Sequence, residues 1–163
     1  FWAKELSLTH HTINARIESI TEKPSYRAAF KARHAVIPMS GYYEWQATPE
    51  GKQPYYFQSE KHAATLWVAG LWEPRHVLQT DASSGTFTII TQEADGLPAS
   101  IHNRMPVFIE ANDVEQWLNL RPGPSMPFLL TRSLPELKVH AVSKRVNNGR
   151  EDDAGLIEPV TIP

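Results

Sequence analysis

The chain has 163 residues, with Lys+Arg 16 against Asp+Glu 18 and a formal net charge of −2. That length suits one domain of ~100–200 residues, and 41% hydrophobic with 21% charged residues excludes a disordered chain. The charge excludes a polycation that holds nucleic acid by bulk attraction, leaving only a local basic patch, and zero cysteines exclude disulfides, Cys-ligated metal and a cysteine nucleophile within these residues.

The first residue is Phe1, so the natural start is expected upstream. The opening residues lack the basic region and apolar core of a signal peptide. Asn14-Ala15-Arg16-Ile17-Glu18 reads as an extended segment whose period of two puts Asn14, Arg16 and Glu18 on one face. Ser25 caps a short predicted helix with Tyr26, Ala29 and Phe30 inside. Residues 35–38 and 41–45 read as strands joined by a tight bend. Residues 49–52 form the turn into a further strand at 54–58. Residues 66–72 and 86–91 look like buried strands with a loop at 81–85. The first of these is the longest apolar run, far below the ~20 residues that span a bilayer. Asn112 and Glu115 have capping-box spacing, and Val114, Trp117 and Leu118 share one helical face. Residues 122–127 are expected to form a loop, and 137–142 a last strand. The pattern predicts a strand-rich α+β fold, a curled or barrel-like sheet with a few short helices, over one domain at 1–163.

Three polar clusters interrupt the apolar pattern. An amide, a guanidinium and a carboxylate at Asn14, Arg16 and Glu18 suit an anionic or carbonyl ligand; spacing alone favours a solvated face with an internal salt bridge. Glu44 lies within Gly41-Tyr42-Tyr43-Glu44-Trp45. Among such bulky neighbours desolvation raises a carboxyl pKa and equips it for proton transfer; an outward-facing strand glutamate is the alternative. In His102-Asn103-Arg104-Met105-Pro106, alternation lets His102 and Arg104 project together. Histidine is the usual acid–base group near neutrality, although a structural histidine fits too. His10, His11, His34, His62, His76 and His140 have no metal-ligand spacing, so no metal is expected.

Taken in order, the motifs resemble those of the SRAP (SOS response-associated peptidase) family. The resemblance is carried by Asn14-Ala15-Arg16-Ile17-Glu18-Ser19, Lys23-Pro24-Ser25-Tyr26-Arg27, Val36-Ile37-Pro38 and Gly41-Tyr42-Tyr43-Glu44-Trp45. Ala69-Gly70-Leu71-Trp72-Glu73, the run at 86–91, His102-Asn103-Arg104-Met105-Pro106 and a tail of His140, Val142-Ser143 and Val146-Asn147 complete it. The resemblance implies a mixed α/β fold around a curled sheet. It implies covalent capture of abasic sites in single-stranded DNA as part of a DNA-damage (SOS) response. There, removal of the initiator methionine frees an N-terminal cysteine, whose amine and thiol condense with the sugar aldehyde to a reversible thiazolidine.

By that resemblance Asn14 positions the amine and the opened sugar. Glu44 transfers protons in methionine removal and Schiff-base formation, and His102 serves ring opening and crosslink reversal. Arg16 and Arg104 bind the flanking phosphates, which their planar forks match. Trp2 and Trp45 lie near the matched positions; a base stacked on the Trp2 ring gains ~1–3 kcal/mol, and Trp45 is either a second such face or part of the core. The implied enzyme is a self-processing peptidase with lyase-like DNA–protein crosslinking, and its partner is single-stranded DNA containing abasic sites. It is expected to act as a monomer in the bacterial cytoplasm, without cofactor, metal or membrane. The cysteine has no counterpart in the 163 residues, so they are expected to lack an N-terminal segment and not to crosslink by themselves. A non-catalytic single-stranded DNA binder and a peptidase acting on other proteins are the competing readings.

Overall fold

The computed structural model describes residues 12–62, 64–74, 85–120 and 123–162. In chain order the elements are β1 (Asn14–Arg16), α1 (Arg27–Ala32), β2 (His34–Met39), β3 (Gly41–Thr48), β4 (Gly51–Ser59), β5 (Leu66–Pro74), β6 (Gly85–Glu93), β7 (Arg104–Pro106), β8 (Phe108–Ile109), α2 (Val114–Asn119), α3 (Ser125–Leu130) and β9 (Leu137–Ala141). The strand-rich α+β expectation holds, and the strands make two sheets, neither of them closed. The chain divides into two units, each drawn from three separate stretches.

The first unit takes residues 1–38, 67–92 and 106–134. Its sheet runs β1-β6-β5-β2, with β8 also paired to β5. β1 lies parallel to β6 with Asn14 opposite Ile89, Ala15 opposite Ile90 and Arg16 opposite Thr91. Alternation along these strands sends Ala15 and Ile90 inward and leaves Asn14 and Arg16 exposed. The core collects Ala15, Ile17, Ile20, Phe30, Leu71, Ile90, Trp117 and Leu129. Trp117 is fully buried, and its indole N–H donates to the Ala35 carbonyl at 2.9 Å, so its one polar atom is satisfied. Its ring stacks on that of His34 at 4.0 Å.

The structure departs from two local expectations. In place of the loop at 122–127, of which residue 122 lies outside the described residues, α3 begins at Ser125. Pro127 falls in the first turn, where its missing N–H has no intrahelical partner to lose. Neither predicted cap forms. α1 is preceded by Tyr26 instead of Ser25, and α2 by Asp113 after a 3-10 turn at Ala111–Asp113, with no side-chain cap bond at either. Packing of buried faces, Phe30 in α1 and Trp117 in α2, outweighs the cap signals in such short helices.

The second unit takes residues 39–66, 93–105 and 135–163. Its antiparallel sheet has the order β3-β4-β9. Gly41 faces Gln58, Glu44 faces Tyr55 and Trp45 faces Pro54; Tyr56 in turn faces His140 on β9. On one face of β3 lie Tyr42, Glu44 and Gln46, and on the other Tyr43 and Trp45. Ring contacts follow that division. Tyr42 stacks on Phe57 at 4.9 Å, while Tyr43 meets Tyr56 at 5.2 Å. Gly41 is held by space: a Cβ there would collide with the Phe57 carbonyl oxygen and the Tyr56 ring.

Candidate active site

Glu44 stands in the middle of β3, and His102 stands on the loop that leads into β7. The loop is built in three steps. Gly96 opens it at φ 59, a backbone region that side chains other than hydrogen strain to occupy. A 3-10 turn follows at Leu97–Ser100, and the His102 amide closes onto the Pro98 carbonyl at 3.0 Å. The Ala94 amide then donates to the Asn103 carbonyl at 3.0 Å, pinching the base of the loop.

This brings His102 Nδ1 to 3.3 Å from Glu44 Oε2. The same nitrogen lies 3.2 Å from both the amide and the carbonyl of Arg104. A protonated Nδ1 donates to the carboxylate or the carbonyl; a bare Nδ1 accepts from the amide. The imidazole is therefore supported with its proton on or off, which suits acid–base duty. The His102 side chain is 38% exposed and that of Glu44 22%, so the pair is partly dry yet reachable.

Burial pushes the Glu44 carboxyl above the ordinary carboxylate range. The His102 ring and the Trp45 amide pull the other way without cancelling the rise. Burial, and secondarily the Glu44 charge, likewise drives the Tyr42 phenol far above its ordinary value, so Tyr42 stays neutral beside the carboxyl.

The remaining predicted residues fall in definite places. Asn14 and Arg16 share the exposed face of β1 in the first unit, and the Asn14 carbonyl accepts from the Tyr26 hydroxyl at 3.2 Å. Glu18 leaves their strand, because a 3-10 turn begins at Ile17. Arg104 follows His102 by two residues on β7, in the second unit. Trp45 occupies the face of β3 opposite Glu44, where its indole N–H donates to Asn147 Oδ1 at 2.8 Å. Trp2 lies outside the described residues. Among the described residues no group of three His, Asp or Glu side chains is placed to hold a metal, and no helix is long and apolar enough to cross a membrane.

Sequence reasoning missed Gln46, Tyr55 and Ser100. Gln46 Oε1 accepts from the Tyr55 hydroxyl at 3.1 Å, and Gln46 Nε2 donates to the Ser100 carbonyl at 2.9 Å. The available signal was position alone: Gln46 follows Glu44 by two in a strand and so shares its face.

Comparison with known proteins agrees with this arrangement of motifs. The description of the SOS response associated peptidase (SRAP) family matches residues 1–149. The chain belongs to the SRAP family. It is 31% identical over 160 residues to the abasic site processing protein YoaM of Bacillus subtilis, covering 96% of this chain and 70% of YoaM. It is 30% identical over 187 residues to the abasic site processing protein HMCES of Gallus gallus, covering 99% of this chain and 55% of that relative. A protein of Bacteroides thetaiotaomicron shares the fold at a TM-score of 0.79 and 23% identity, over 99% of this chain and 73% of its own. One from Bordetella bronchiseptica aligns at a TM-score of 0.68 and 26% identity, over 80% and 64%.

Proposed function

We propose that this SRAP-family protein processes abasic sites in single-stranded DNA by forming a covalent protein–DNA crosslink. The observation that carries the reading is the Glu44–His102 pair at 3.3 Å, a desolvated carboxyl against a supported imidazole. Membership of the family and the abasic-site names of its relatives supply the substrate class.

The 163 residues contain no cysteine, so the reading gives them binding and proton transfer. The nucleophile comes from an N-terminal cysteine outside them, freed when the initiator methionine is cleaved with help from Glu44. His102 protonates the ring oxygen as the bond from C1′ to that oxygen breaks, and the C1′ hydroxyl gives its proton to Glu44, which returns it to His102 and leaves the aldehyde exposed. The cysteine amine adds to C1′, and one N–H proton passes through Glu44 to the aldehyde oxygen, which becomes a hydroxyl. Glu44 then takes the second N–H proton and delivers it to that hydroxyl, and water leaves as the C=N bond of the imine forms. The thiol then adds across the C=N bond and closes a thiazolidine. Asn14 orients the amine and the opened sugar, and Arg16 and Arg104 hold phosphates on either side. Trp2 and Trp45 offer stacking faces to neighbouring bases.

The test is incubation of the protein, expressed from its natural gene, with a single-stranded oligonucleotide carrying one abasic site. A slow-migrating species on a denaturing gel is expected, and it should weaken in Glu44→Gln and His102→Ala. Absence of that species with intact, folded protein overturns the reading.

A further inference from the structure

We infer that Gln46 is a positioning residue, which sets the distance between His102 and Glu44 by holding the His102 loop to β3. The inference rests on the reading of Glu44 and His102 as the proton-transfer pair. Three observations carry it. Gln46 lies on the same face of β3 as Glu44, one alternation further along the strand. Its amide is oriented from behind, because the Tyr55 hydroxyl donates to Oε1 at 3.1 Å and so turns the NH2 group away from β4. That NH2 group donates to the Ser100 carbonyl at 2.9 Å, at the end of the 3-10 turn two residues before His102.

The loop has its own internal bonds. Ser100 Oγ donates to the Leu97 carbonyl at 2.8 Å, and the Ile101 and His102 amides both reach the Pro98 carbonyl at 3.0 Å. These make it a stiff unit without fixing where it sits against the sheet. The pinch between Ala94 and Asn103 fixes its base. The bond from Gln46 fixes its far side, and two anchors around His102 define a position where one allows a swing. Catalytic geometry is sensitive on this scale, since a displacement of about 1 Å can cost ~10²-fold in rate.

The requirement is chemically specific. The Ser100 carbonyl only accepts, so residue 46 must donate to it while accepting from Tyr55. A primary amide does both. A carboxylic acid does both as well, but a carboxylate only accepts and would repel the carbonyl.

The experiment uses the full protein from its natural gene and the abasic oligonucleotide. Gln46→Leu should slow crosslink formation on the order of tenfold, with affinity for the same strand lacking the lesion held within about twofold. Gln46→Glu should run close to the wild-type rate in acid, then fall away from it as pH rises and the introduced carboxyl ionises. A merely structural contact would not produce that pH-dependent ratio. If Gln46→Leu does not fold, the Gln46→Glu ratio decides alone. A rate within about twofold of wild type in Gln46→Leu, or a Gln46→Glu ratio flat across pH, overturns the inference. A second arm needs no DNA. Hydrogen exchange at the Ile101 and His102 amides should quicken in Gln46→Leu and in Tyr55→Phe, and unchanged protection overturns the role. Wild-type protein that forms no crosslink overturns the proposed function instead, and the exchange arm still reports on Gln46.

Discussion

Glu44 Oε2 and His102 Nδ1 stand 3.3 Å apart, one from the middle of a strand and the other from a loop pinned to that strand's own face. Neither residue is unusual alone. Together they form a carboxyl whose ionised form is disfavoured by burial and an imidazole that stabilises that form.

The pair makes Glu44 a place where function opposes stability. Its carboxyl titrates above its ordinary 4.5 in the folded protein. Its contribution to stability is therefore complete below that value and is lost as pH rises through the raised one. Glu44→Gln removes the ionisation at almost constant shape. Its melting temperature relative to wild type should rise between acid and neutral pH, while crosslink formation falls by roughly 10²–10⁴-fold. Thermal melts of both proteins from pH 4 to 8 read the first effect, and gel kinetics the second. A melting difference that shrinks with rising pH would contradict the desolvated carboxyl.

Arg16 and Arg104 lie in different units, and in the proposed function each holds one phosphate. Releasing one condensed counterion contributes a slope of about −0.7 in log K against log salt for single strands. Arg16→Ala and Arg104→Ala should each flatten the slope by about that amount, measured by anisotropy with a labelled single strand. Glu44→Gln, which touches no phosphate in this reading, should leave the slope alone. An unchanged slope in either arginine variant removes that residue from the phosphate contacts.

How far the sequence disclosed this arrangement depended on the range of the interaction. Alternation placed β2 to β6 and β9 within a few residues, because local apolar spacing decides a half-buried strand. The exposed faces of Asn14 and Arg16 followed from the same rule. The capping signals at Ser25 and Asn112 misled, because burial of Phe30 and Trp117 places those helices. The loop reading at 122–127 misled because Pro124 and Pro127 fall at the N-cap and in the first turn of α3, where a helix tolerates them. The meeting of Glu44 with His102, the turn of Trp45 toward Asn147 and the bond from Gln46 to Ser100 depend on chain folding back over long separations. No periodicity encodes such contacts.

Gly41 tests how tightly β3 is seated. A methyl group there would meet a backbone oxygen and an aromatic ring, neither of which yields cheaply. Overpacking of this kind costs about 1–3 kcal/mol, and each kcal/mol moves the melting point of a chain this size by roughly 2–4 °C. Gly41→Ala should therefore melt several degrees below wild type and weaken the crosslink, since Glu44 shares the strand. A melting point equal to wild type would show that β4 moves aside freely.

His34 should set the acid limit of the first unit. Its ring is buried between Trp117, at 4.0 Å, and the edge of Phe30. Nε2 lies 3.0 Å from the Phe30 carbonyl, to which it donates, and 3.3 Å from Ser125 Oγ. Burial drives its pKa below the ordinary 6.5, and hydrogen bonds to the Phe30 and Trp117 backbone offset only part of that. The depressed value means that stability is complete above about pH 6.5 and is lost as pH falls through the folded value. Wild-type melting temperature should therefore drop from pH 7 toward pH 5. His34→Gln keeps a side chain able to donate to Phe30 and cannot take up the proton. It should melt lower at neutral pH, for want of the stacked ring, yet show a shallower fall into acid. Parallel acid slopes in the two proteins would assign the acid sensitivity to other groups.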